Sequence, residues 1–289
     1  MLDHLPVVLT LVAFGLHVAG ERRAAVLTGR PRGRRARARA RTFYAGLAVI
    51  VVALQSPLDA LAEKLFWAHM IQHLLLLVVA APLIVLGRPW MSLWRPLPLG
   101  LRRRVARALV RSRAAAPLRG LVGVLSRPAG AWIAFSGTMV MWHAPVLYDL
   151  TLRNSGVHIL EHTLFVVLAI PFWAQVAGCP PARSPLPYLK RCGYTAAAIV
   201  PNIGLSMVLA YSSHPLYAPY AHLLARPGAI TALADQQIGA GIMWAAGDMP
   251  FVIAIAWLAQ RWLAAVDGAA ARVAALVPAP VEPDPRRTV

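Results

Sequence analysis

Cysteine is nearly absent: the 289-residue chain has two, Cys179 and Cys192. Two thiols cannot build a disulfide framework, and neither stands at zinc-finger spacing from a histidine, so both read as ordinary loop thiols. Acidic side chains are few, 11 against 29 lysines and arginines, which leaves a formal net charge of +18. Such an excess suits nucleic acid or an anionic membrane surface, depending on where it lies. No aromatic residue interleaves the long basic run GERRAAVLTGRPRGRRARARAR, which argues against nucleic acid. No internal repeat is visible. The opening MLDHLP lacks a basic leader, and the small-residue cleavage pattern is missing, so the first apolar run is expected to stay in the mature protein.

Apolar residues, by contrast, make up 58% of the chain, and the mean hydropathy is +0.59. Several apolar runs approach the roughly 20 residues that cross a bilayer. The expected fold is all-α: a polytopic membrane bundle of seven helices at residues 5–20, 43–58, 66–86, 129–147, 157–176, 194–211 and 238–263. These form one transmembrane domain over residues 1–263. The segment 264–289, ending VPAPVEPDPRRTV, is too rich in proline and charge to pack and is expected to be a disordered tail. The connection after the first span holds nine arginines and residues 87–128 hold ten more, whereas Lys64, Arg153 and Arg226 stand alone in theirs. In this scheme 26 basic residues fall on one side and three on the other, which predicts an external N-terminus and a cytoplasmic C-terminus. The arginines then act as topology determinants and as contacts for anionic membrane lipid.

Eight of the nine histidines fall at the outer ends of these spans or just beyond them; His17 is the exception. In FWAHMIQHLLLL, His69 and His73 occupy the first two turns of the third span, with Met70 and Gln72 between them. Residues four apart share a helix face, so His69 with His73, and His158 with His162, each offer a paired imidazole face. His143 lies at the outer end of the fourth span, four residues after Met139. A lone histidine here would read as a structural hydrogen bond; five at one depth on three helices point to a metal site or a polar pocket. Imidazole suits copper, zinc, iron or nickel, and nearby thioethers favour Cu(I), although methionine also simply fills apolar space.

The seventh span, ADQQIGAGIMWAAGDMPF, has Asp235 at its outer mouth and Asp248 about three turns inside. A carboxylate at that depth is costly and reads as either functional or paired with Asn202. Gln237, Gly241, Trp244 and Asp248 suggest one stripe facing the bundle, with Gly239 and Gly241 permitting close helix approach. HILEH, residues 158–162, also matches the H-x-x-E-H zinc peptidase pattern, with Glu161 as the base.

Taken together, AHMIQHLLL, MWHAPVLYDL, VHILEHTLF and ADQQIGAGIMW resemble the CtaG family of cytochrome c oxidase assembly factors, over about residues 43–263. The resemblance implies a multi-pass protein of the bacterial plasma membrane, not an enzyme, that supplies copper to the catalytic subunit of a haem-copper oxidase. It implies His69, His73, His143, His158 and His162 as the copper-handling residues, with Asp235 in the matching motif of the last span. Gln72, Glu161, Met70, Met139 and Asp248 would support them. Three other readings remain open: a zinc-dependent membrane hydrolase of lipid amides or esters, a haem protein with axial histidines, and a purely structural set.

Overall fold

The computed structural model describes residues 5–29, 31–182, 184–223 and 227–274. Among these residues all regular structure is helical. In chain order the helices are α1 (Leu5–Thr28), α2 (Arg34–Gln55), α3 (Pro57–Ala62), α4 (Phe66–Gly87), α5 (Trp90–Trp94), α6 (Leu99–Arg111) and α7 (Ala116–Leu125). They continue as α8 (Pro128–Trp142), α9 (Pro145–Arg153), α10 (Ser155–Ala177), α11 (Tyr188–Tyr211), α12 (Ala218–Ala221) and α13 (Ala232–Ala274). Among the described residues, α1, α2, α4, α10, α11 and α13 are long and apolar enough to cross a membrane.

The fourth expected span, 129–147, is shorter than its hydropathy suggested. Pro145 has no N–H to donate and disfavours helical backbone at Ala144, so α8 stops at Trp142 and α9 starts afresh at Pro145. Its 15 residues rise about 22 Å, less than the about 30 Å of a hydrocarbon core. Elsewhere the helices outrun the apolar segments. The arginine run expected as a connection is largely helical, in the last turns of α1 and the first of α2. The last helix continues past residue 263 to Ala274, into the segment expected to be disordered, whose remainder lies outside the described residues.

Helix α4 is the axis on which the site is built. Its middle, Leu75–Ala80, is wound as a π-helix, and Ala81 N–H reaches back five residues to the Leu76 carbonyl. In that register the next donor would be Pro82, which has no N–H, so the Leu77 carbonyl loses its partner. The Trp173 indole of α10 donates to this carbonyl at 2.8 Å. Phe135, Phe165, Phe172, Trp173 and Phe251 pack around this half of α4 as the main apolar core. At the opposite face, α13 packs along α11, and Asn202 donates to both Asp248 Oδ1 and the Met243 carbonyl at 2.9 Å. A Cβ on Gly239 would run into the Phe66 ring, so glycine there lets α13 seat directly on the start of α4. Gly241 has open space beside it, and Gln237, Gly241 and Trp244 are exposed. The buried stripe of α13 is instead Gln236, Ala240, Met243 and Gly247, about one residue out of register with the expected one, with Asp248 at its edge.

Candidate metal centre

Three chain segments bring the histidines together. Helix α4 supplies His69 and His73, whose ring centroids lie 4.4 Å apart. Helix α10 supplies His158 and His162, 4.2 Å apart. Its start is fixed by Asn154, whose Oδ1 accepts from Gly156 and Val157 N–H at 2.9 and 3.2 Å. The two faces meet, with centroid separations of 5.0 Å for His69 to His158, 5.8 Å for His69 to His162 and 5.3 Å for His73 to His162. His143, just past the end of α8, completes the group 5.7 Å from His73.

Glu161 occupies the centre. Its carboxylate is fully buried, with Oε1 3.6 Å from His73 Nε2 and Oε2 3.9 Å from His69 Nε2. Both distances are too long for a hydrogen bond. The neighbouring Thr151 hydroxyl donates to the Tyr148 carbonyl at 2.7 Å. Seven buried atoms of the cluster have no hydrogen-bond partner: His69 Nε2, both nitrogens of His73, His158 Nε2, His162 Nε2 and both Glu161 oxygens. Each such atom costs about 1–3 kcal/mol if nothing meets it. One donor atom each from His69, His73, Glu161 and His162 lies within 4.8 Å of all the others. Bonds of about 2.0–2.1 Å to one tetrahedral ion would place donors about 3.4 Å apart, so modest side-chain rotation closes the set on a single cation.

The surroundings fix which nitrogens carry lone pairs. Tyr220 donates its hydroxyl proton to the Ala62 carbonyl at 2.5 Å, so its 3.1 Å contact with His69 Nδ1 needs the proton on the imidazole. His69 Nε2 is then an unprotonated donor atom facing Glu161. Likewise His143 Nδ1 bonds the Met139 carbonyl at 2.7 Å, which accepts only, so the lone pair of His143 Nε2 points at Met70 Sδ, 3.4 Å away. With the His143 proton on Nδ1, an imidazole lone pair and a soft thioether sulfur face each other with no hydrogen between them, and a soft cation would satisfy both.

Other expected residues lie elsewhere. Asp235 does not join the histidines: its Oδ2 accepts from Phe66 N–H at 2.9 Å and its Oδ1 from Trp67 N–H at 3.1 Å, capping α4 from across the bundle. Asp248 is bonded to Asn202, the structural alternative weighed for it. Gln72 turns away, donating to the Ala53 carbonyl at 2.7 Å and to Asp59 Oδ1 at 2.8 Å. Met139 contributes its backbone carbonyl, while Met70 contributes its sulfur. His17 bonds Tyr44 at 3.0 Å, as an isolated histidine should. His214 and His222 are exposed, and His4 lies outside the described residues. Both cysteines are free; burial pushes the Cys179 thiol up, and neither belongs to the group of convergent donors.

Three tyrosines that the sequence reading did not single out cover the cluster. Tyr148 packs tilted against His69 at a centroid distance of 5.2 Å, Tyr217 packs on Tyr148 at 4.0 Å, and Tyr220 reaches His69 Nδ1 through its hydroxyl at 3.1 Å. Tyr217 also donates to the His143 carbonyl at 3.0 Å. Burial raises the Tyr217 and Tyr220 hydroxyls above the ordinary range, so both stay protonated donors. The signal lay in HPLYAPYAH, an aromatic segment between apolar runs, where a loop carried by solvent would have little use for two buried rings.

With six helices among the described residues long and apolar enough to cross a membrane, and a buried His and Glu cluster beneath three tyrosines, the chain has the build of a multi-pass membrane protein with a polar site enclosed in its bundle. The chain belongs to the cytochrome c oxidase caa3 assembly factor family, Caa3_CtaG, which it matches over residues 23–265. Among curated proteins it is 26% identical over 226 residues to uncharacterized proteins of Mycobacterium bovis and Mycobacterium tuberculosis, covering 76% of this chain and 33% of each relative. It is 24% identical over 228 residues to one of Mycobacterium leprae, with the same coverage. The chain thus aligns with about a third of the length of these relatives. No solved structure matches.

Proposed function

We propose that this protein serves the assembly of a haem-copper oxidase in the bacterial plasma membrane, holding Cu(I) at the histidine cluster and passing it to the oxidase catalytic subunit. The observation that carries this reading is the convergence of buried, unpartnered donor atoms from α4 and α10 around Glu161. Family membership supplies the oxidase context. The pairing of His143 Nε2 with Met70 Sδ favours Cu(I) over harder ions, since thioether is a soft ligand. Copper here is cargo, and donor atoms spread over as much as 4.8 Å, against about 3.4 Å in a closed tetrahedral set, suit a donor that must also release it.

In this reading α8 is a seventh, short crossing, the N-terminus is external, and the cluster lies near the outer surface, at the end with few basic residues. Transfer between proteins at matching depth then proceeds by lateral docking of helices. The test is copper content: His73→Ala should lower the copper-to-protein ratio and oxidase activity together, and an unaltered ratio removes the site from this account.

A second reading rests on Glu161, which stands among the imidazoles as the base of a zinc hydrolase would. It predicts zinc rather than copper after purification.

A further inference from the structure

A cleft of about 320 Å³ opens between α1, α2 and α10. Its walls are mostly apolar, with Leu9 and Ala13 from α1, Leu47 and Ile50 from α2 and Val166 from α10, but ionisable side chains interrupt them. Asp59 and Glu63, on and just after α3, share the lining with His158 and His162. Glu63 is exposed, Asp59 lies within electrostatic reach of the His158 imidazole, and His162 is buried with its Nε2 unpartnered. His158 therefore borders both the cleft and, through its rings' contact with His69 and His162, the buried cluster.

We propose that this cleft is the port through which a monovalent or divalent metal cation reaches the cluster. Asp59 and Glu63 draw the cation to the mouth. His158 takes it first, and it then moves inward to His162 and His69 by exchange of one metal–nitrogen bond for another, with no change of oxidation state. The tyrosine roof closes the other approach, since Tyr217 and Tyr220 are tied to the His143 and Ala62 carbonyls. Acidic clefts with apolar walls focus field lines and raise association rates, which is the property an entry port needs.

This inference rests on the metal-holding reading of the cluster. The test is anaerobic loading of the full chain, purified in detergent and stripped of metal, with Cu(I) delivered from a chromophoric chelator whose absorbance reports transfer. Two variants outside the cluster are compared with wild type: Glu63→Gln, which removes charge at the mouth, and Ala13→Trp, which fills the cleft. Both are expected to load at least about fivefold more slowly, with an unchanged final copper-to-protein ratio. The wild-type rate should fall with added salt, and the Glu63→Gln rate much less. Loading of both variants at the wild-type rate overturns the port while leaving the copper site standing. Wild-type protein that takes up no copper overturns both.

Discussion

At the scale of single residues, the Tyr220 hydroxyl sets the tautomer of His69 and so aims the lone pair of Nε2 at the cluster. Groups that orient a ligating histidine typically contribute 10–100-fold in metal affinity. Tyr220→Phe is therefore expected to weaken Cu(I) binding by about 10- to 100-fold in chelator competition, while the variant still folds and reaches the same ratio at saturating copper. Unchanged affinity would mean that His69 needs no such anchor. The histidines themselves were legible in the sequence because spacing of four puts two rings on one helix face whatever surrounds the helix. Glu161 was legible only as part of a weak motif, and its central position follows from α10 facing α4. Tyr217 and Tyr220 were hinted at only by the aromatic segment HPLYAPYAH, and the positions of Gln72 and Asp235, which face away, depend on contacts between segments far apart in the chain, which no local pattern reports.

At the scale of elements, Asp235 is an N-terminal cap supplied by a different helix. Asp235→Ala should leave the Phe66 and Trp67 N–H groups without their acceptor and destabilise the protein by about 1–2 kcal/mol. Metal content per folded molecule should stay at the wild-type value, and a loss of copper without loss of stability would restore Asp235 as a ligand. In the same way Trp173→Phe strands the Leu77 carbonyl beside the π turn and is expected to cost about 1–3 kcal/mol in denaturation measurements. The order of the long apolar helices could be read from hydropathy, since apolar runs mark the segments that must avoid water, but the expected count of seven was not matched: six of the described helices are long enough to span, and α8 is cut short before Pro145. Helix ends could not: hydropathy reports the membrane slab, whereas α1, α2 and α13 continue as helices beyond it. The register of α13 was misjudged because two adjacent series of small and polar residues share nearly the same helical period, and only the contact of Gly239 with Phe66 decides between them.

At the scale of the whole molecule, the arrangement sorts charge and chemistry to opposite ends. Arginines crowd the connections around α5 to α7, and Glu21 links that end together through Ser92 and Arg32. The clustered histidines lie with Asp59 and Glu63 at the other end, whereas His17 stays on the arginine-rich side. If that end faces outward, a membrane-impermeant maleimide applied to intact cells should label Ser213→Cys and spare Ala114→Cys; the reverse pattern would invert the topology. The measurement that bears most directly on the central claim is metal analysis of the full chain purified anaerobically, alone and as His73→Ala and His162→Ala variants. Stoichiometric copper is expected in the wild type, and its loss from both variants without unfolding. Zinc in place of copper, or copper retained at full ratio by both variants, would contradict that claim.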